Sequence, residues 1–237
     1  MKRLLILALA AAAPMSGCLH PAPVLHATAA QIGPELDNYS EAVIPEGGTI
    51  VLQGDDTIYG GLPHGHRAPI NGADEKRGGV TLADCLHRSM PHVTIVDHGF
   101  PGDTVAKSAE RWAGRPVGNL LILSFGYGDV HAQTPIAAFT TALTKLVHQA
   151  QTQGAAVFIV TPPPTTGKDR WGLAVYREAA MNVGAKEGVA VFDSTDTLQK
   201  TGLPPAKDDH ASADITQAIA GAMVPYIQVI PEPKAKG

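Results

Sequence analysis

The chain is poor in aromatic residues, 5% of 237, and has no block of consecutive basic residues. Nucleic-acid surfaces need clustered Lys and Arg with aromatics among them, and the formal charge here is -4, so nucleic acid is not an expected partner. Cysteine is nearly absent: Cys18 and Cys85 are the whole supply, too little for a disulfide framework. No apolar run is long enough to span a bilayer as a mature helix; the N-terminal one, Leu4 to Ala13, is ten residues against the ~20 required. Internal repeats and a second compositional regime are also missing. The 44% hydrophobic content suits one α/β domain with a full core. Nothing calls for a cofactor. His64-x-His66 on a Gly/Pro-rich loop, and the scattered acids Asp56, Asp129, Asp208 and Asp209, lack standard ligand spacing, so no metal is expected.

The first residues read as a targeting segment. Lys2 and Arg3 precede the apolar run, and Met15-Ser16-Gly17-Cys18 looks like a bacterial lipobox with Cys18 as the lipidated residue. A plain secretory signal cut near Ala27-Thr28-Ala29 is the rival; both readings export the protein, to the periplasmic face of a membrane or to the soluble periplasm. With Cys18 carrying lipid, no internal disulfide can form at Cys85. Its helical spacing from Leu82 and Leu86 marks it as a small core residue. The expected organisation is a signal segment over 1–18, an Ala/Pro/His-rich tether over 19–45, a domain over 46–230 and a polar tail over 231–237.

Five β-prone apolar runs punctuate the domain: Ile50–Leu52, His92–Asp97, Asn119–Phe125, Ala155–Val160 and Val189–Asp193. Helical periodicity separates them, over Val80–Met90, Val105–Ala113, Thr134–Thr152 and Asp169–Lys186, with a last helix over Ile215–Ile227. Alternating strands and helices imply a five-stranded parallel sheet with right-handed crossovers, an α/β architecture. Ligands of such sheets are met at the C-terminal strand ends, which here carry Gly54-Asp55-Asp56, Gly102-Asp103-Thr104 and Gly126-Tyr127-Gly128-Asp129.

Those segments, with Lys207-Asp208-Asp209-His210, resemble in order and spacing the four sequence blocks of the SGNH (GDSL-type) hydrolases. The resemblance runs from Ile50 to about Ile227 and implies a three-layer, flavodoxin-like sandwich. It also implies a site: a serine nucleophile, a histidine base oriented by an acid, and an oxyanion held by backbone N–H groups and an Asn side chain. The nucleophile falls on Asp56, the backbone donor on Gly102, the Asn donor on Gly128 beside Asp129, and the histidine on His210. Three residues before His210 stands Lys207, so Asp208 is the orienting acid if the loop is one residue tighter.

Loss of a catalytic serine costs about a million-fold in rate, and loss of one oxyanion donor roughly a hundred- to a thousand-fold. An acyl-serine mechanism is therefore not expected. Two readings lead, ahead of a plain envelope scaffold with the groove unused. One is an esterase, acyl hydrolase or acyltransferase in which Asp56, His210 and Asp208 work without serine on an acylated glycan or small ester of the envelope. The other is a catalytically silent binding or assembly subunit of an exopolysaccharide system.

Overall fold

The structure, a computed structural model, describes residues 41–60, 80–207 and 211–231. The strands are β1 (Ala42–Pro45), β2 (Thr49–Gly54), β3 (Thr94–Gly99), β4 (Leu120–Ser124), β5 (Ala156–Val160), β6 (Ala190–Phe192) and β7 (Ile227–Ile230). The helices are α1 (Asp56–Tyr59), α2 (Leu82–Ser89), α3 (Val105–Arg111), α4 (Tyr127–His131), α5 (Ile136–Thr152), α6 (Arg170–Glu187), α7 (Ser194–Thr201) and α8 (Ala213–Met223).

β2 to β6 form the expected five-stranded parallel sheet, in the order β3-β2-β4-β5-β6. After β2 the chain moves to one side for β3, then crosses to the other for β4. The strand order reverses there, so the carboxyl ends of β2 and β4 form the switch point at which sheets of this kind place their ligand crevice. β4 is buried along its whole length because helices cover both its faces. On one face Ile50, Leu52, Leu120 and Ile122 pack with Leu86 of α2 and Ile215, Ile219 and Met223 of α8. On the other, Val51, Leu121, Leu123 and Val157 pack with Val105 of α3, Phe139 and Leu143 of α5, and Val183 of α6. Cys85 is buried in the first of these clusters as a thiol.

Local chemistry sets several boundaries. Thr81 accepts from the Asp84 N–H while the Asp84 carboxylate accepts from the Thr81 N–H, a capping box that starts α2. Asp193 caps α7, a helix absent from the sequence reading because Leu198 is its one buried apolar residue.

Two segments depart from expectation. Ala42–Pro45, placed in the tether, is a strand paired in parallel with β7, with Ala42 opposite Ile227 and Pro45 opposite Ile230. Ala42 and Ile44 are fully buried, which ties this strand to the domain. The final helix ends at Met223, short of Ile227. Pro225 has no N–H to continue it; the chain passes through a 3-10 turn over Val224–Tyr226 and becomes β7.

Candidate active site

The crevice is built from three strand-end turns. At the first, Gly54 is held so tightly that a Cβ would lie 2.3 Å from both the Ser124 carbonyl oxygen and Ile58 Cγ1. Asp55 follows, with no solvent exposure. Its Oδ1 accepts from the Thr57 N–H at 3.1 Å and caps α1. Its Oδ2 accepts from the N–H groups of Gly126 at 2.8 Å and Gly128 at 3.2 Å. One carboxylate therefore ties the β2 turn to the β4 turn. Burial and the neighbouring Asp56 push the Asp55 carboxyl up to about 7, against the pull of the Thr57 and Gly128 N–H groups.

Asp56, the first residue of α1, turns the other way and is partly exposed. Its Oδ2 accepts from the Gly102 N–H at 2.9 Å. Gly102 has φ +67°, a left-handed conformation that favours glycine, and the turn is closed by the Asp103 N–H on the Phe100 carbonyl at 3.1 Å. The sequence reading joined Asp56 and Gly102 as nucleophile position and oxyanion donor. The structure brings them together, with the carboxylate on the donor itself.

Gly128 lies against this same turn. A Cβ there would be 1.9 Å from the Asp103 carbonyl oxygen, 2.6 Å from its carbon and 3.0 Å from the Gly102 carbonyl carbon. The space an asparagine side chain would leave through is filled by backbone. Two buried acids hold that backbone. Asp103, 2% exposed, meets Arg111 Nη2 at 3.3 Å, while the Arg111 guanidinium lies 3.9 Å over the Phe100 ring. Burial raises the Asp103 pKa and Arg111 opposes it.

Asp129, which the sequence reading placed among the substrate-binding residues, is fully buried. Its Oδ2 accepts from the Val105 N–H at 3.2 Å, and burial lifts its pKa to about 6 against the pull of the Thr134 side chain and the Val105 N–H. A ligand arriving from solvent does not reach it; its contact is with the first turn of α3. The Tyr176 hydroxyl braces the segment, donating to the carbonyls of Asp129 at 3.2 Å and of Thr134.

His210, Asp208, Asp209, Cys18, His64 and His66 lie outside the described residues. Sequence reasoning missed Asp55. The available signal was a carboxylate at the N-cap position directly after a strand-ending glycine.

Chemically, the arrangement disfavours oxyanion formation. A developing oxyanion at the Gly102 N–H meets a carboxylate already there. Like charges about 4 Å apart repel by about 4 kcal/mol at an effective dielectric of 20, roughly a thousandfold in rate.

Known proteins share this frame. The chain is similar in structure to an acetylxylan esterase, Axe2 from Geobacillus stearothermophilus, with TM-score 0.61 and 17% identity over 77% of this chain and 95% of that one. LAE5, an α/β hydrolase from the metagenome of Lake Arreo, gives TM-score 0.60 and 18% identity, covering 77% of this chain and 96% of that one. A lipase/acylhydrolase from Enterococcus faecalis gives TM-score 0.58 and 22% identity, covering 75% and 93%. A comparison with curated proteins finds no matching sequence. The model of the GDSL-like lipase/acylhydrolase family matches residues 54–217, from the first strand-end turn into α8. With well over half its length matched, and with the parallel sheet and crevice of the SGNH hydrolase fold, the chain belongs to the GDSL-like lipase/acylhydrolase family.

Proposed function

We propose that this chain is an exported member of an acyl-ester hydrolase family whose site binds an acylated glycan without cleaving it, as a binding or assembly subunit of an envelope or exopolysaccharide system. The observation that carries this reading is the Asp56 carboxylate on the Gly102 N–H at 2.9 Å. The donor that the family resemblance assigns to an oxyanion is satisfied from within the chain. The backbone packed on Gly128 adds to it, because the second donor has no room to be restored. Acylated glycan as the ligand class is supported by the acetylxylan esterase among the structural relatives. Export, with lipid on Cys18 as the membrane anchor, is supported by the lipobox-like Met15–Cys18.

A second reading draws on the partial exposure of Asp56. As a general base, with His210 as its acid, it would activate water for a hydrolysis without serine. Turnover of an aryl acetate and of acetylated xylan separates the two. The binding reading expects the purified protein to release no acetate above buffer, yet to co-sediment with acetylated xylan. Acetate release that disappears in His210→Ala would establish the second reading and overturn the first.

A further inference from the structure

α6 begins at the rim of the crevice with an aromatic and basic group that the site does not use. Trp171 is 71% exposed, by far the most exposed large apolar side chain among the described residues. Val175, one turn on, is 48% exposed. The Arg170 guanidinium lies 4.9 Å over the Trp171 ring, and Lys168 is exposed just before it. Among the described residues no carboxylate pairs with Arg170 or Lys168. The nearest acid in sequence, Asp169, is 13% exposed at its side chain and faces His131 at 3.7 Å.

The group's place in the fold is fixed by α4. A Cβ on Gly172 would lie 3.0 Å from Val130 Cγ2, so the first turn of α6 packs on the helix that carries Gly128. Trp171, in the first turn of α6, therefore stands on the side of the carboxyl ends of the strands, at the end of the sheet that carries the Gly54, Gly102 and Gly128 turns. A chain of sugars lying along that rim would meet both.

We propose that Lys168, Arg170 and Trp171 form a subsite for an anionic polysaccharide, one whose pyranose rings carry carboxylates. This rests on the glycan-binding reading of the crevice and names the ligand's charge. The negative face of an indole ring attracts the C–H groups on the flat side of a pyranose, as it attracts other partial positive charge. Arg170 covers one ring face, and an exposure of 71% leaves the rest open. A planar guanidinium beside the sugar pairs with a carboxylate through two parallel N–H bonds, and the ring holds it pre-oriented. The protein carries a formal charge of -4, so a local pair of cations without acidic partners is a selective feature against a repelling background. An acidic lipid surface would also attract Trp and Arg; the position beside the crevice favours the polysaccharide.

Titration calorimetry tests this with the purified protein and three polymers: polygalacturonate, its fully methyl-esterified form and neutral xylan. Phosphatidylglycerol vesicles are the fourth probe. The expected order is tightest binding to polygalacturonate, weakened by salt. Trp171→Ala weakens it about tenfold, Trp171→Phe little, and Arg170→Gln or Lys168→Gln several-fold with a shallower salt dependence. Unfolding temperatures stay unchanged, since all three side chains are exposed. Equal affinity for the esterified polymer, untouched by Arg170→Gln, would overturn the anionic specificity. Binding that Asp56→Ala removes and Trp171→Ala leaves intact would overturn the rim subsite while sparing the glycan reading. No binding to any of the three polymers would overturn the rim subsite, and the glycan-binding reading falls with it only if acetylated xylan also fails to co-sediment. Vesicle binding alone, lost in Trp171→Ala, would make the group a membrane contact and overturn the proposal.

Discussion

Restoring the family's asparagine at residue 128 is expected to damage this protein. The damage comes from Cβ, so Gly128→Ala and Gly128→Asn share it. That atom would sit 1.9 Å from the Asp103 carbonyl oxygen, where real Cβ contacts essentially never fall below 3.0 Å. The Gly102–Asp103 backbone must therefore retreat by about 1 Å. It is held from behind, by the Asp103–Arg111 ion pair and by the Val105 N–H on Asp129. Overpacking against backbone that cannot rotate away costs about 1–3 kcal/mol, and about 3 kcal/mol fits a contact this close. A domain of this size loses about 2–4 °C per kcal/mol, so both variants should unfold about 6–12 °C below the parent. Circular dichroism melts give the comparison. Gly to Ala in a helix otherwise gains up to about 1 kcal/mol, so the sign itself decides. A Gly128→Ala protein as stable as the parent, or more so, would refute the contact. Esterase activity in Asp56→Ser/Gly128→Asn well above that of Asp56→Ser alone would refute the claim that the donor has no room.

Other expectations concern the buried acids. Asp55 and Asp129 have folded-state pKa values raised from 3.8 to about 7 and about 6. The folded state therefore holds protons that the unfolded chain has released, and these groups stabilise most below ~4 and lose that contribution as pH rises through 6 and 7. His98, whose pKa is lowered by burial and by Arg115, works in the opposite sense. Urea midpoints at pH 5 and pH 8 for the parent and Asp129→Asn isolate the acid's share: the parent should lose more stability on going to pH 8, and equal losses would contradict the shift. Asp55→Ala leaves the N–H groups of Thr57, Gly126 and Gly128 without their acceptor. At about 1–3 kcal/mol for each buried group, it should abolish a cooperative melt, and a native-like melt would contradict the tie between the two turns. Asp193 is raised by burial, but the paired Arg177 outweighs this and holds its pKa below the usual value. Arg177→Met should raise that pKa, read by NMR titration, and lower stability by about 1–2 kcal/mol at this partly exposed pair; an unchanged titration would separate the two residues.

Much of the frame could be read without coordinates because its signals are local. The apolar run at Ile50–Leu52 ends in glycine, and Leu120–Ser124 has the unbroken hydrophobicity of a strand covered on both faces. What escaped notice depends on distant pairing. β1 is four residues long and gains its identity from β7, with Ala42 opposite Ile227. α7 lacks an apolar stripe and starts from a cap. At the site, the chain order placed Asp56, Gly102 and Gly128 near one crevice. It did not tell that the Asp56 carboxylate accepts from the Gly102 N–H, or that the Asp103 carbonyl fills the space over Gly128. Nor did it separate the buried Asp55 from the partly exposed Asp56, since adjacent carboxylates look alike until a helix start turns one inward.

The central claim, that Asp56 occupies the donor an oxyanion would use, has a direct measurement in the Gly102 amide. Its proton shift and hydrogen-exchange rate can be followed by NMR in the parent and in Asp56→Ala, each with and without acetate. The account predicts a protected, hydrogen-bonded amide in the parent that ignores acetate. In Asp56→Ala it predicts a faster-exchanging amide that shifts when acetate takes the vacated place. A Gly102 amide that exchanges freely in the parent, or that responds to acetate equally in both proteins, would contradict it.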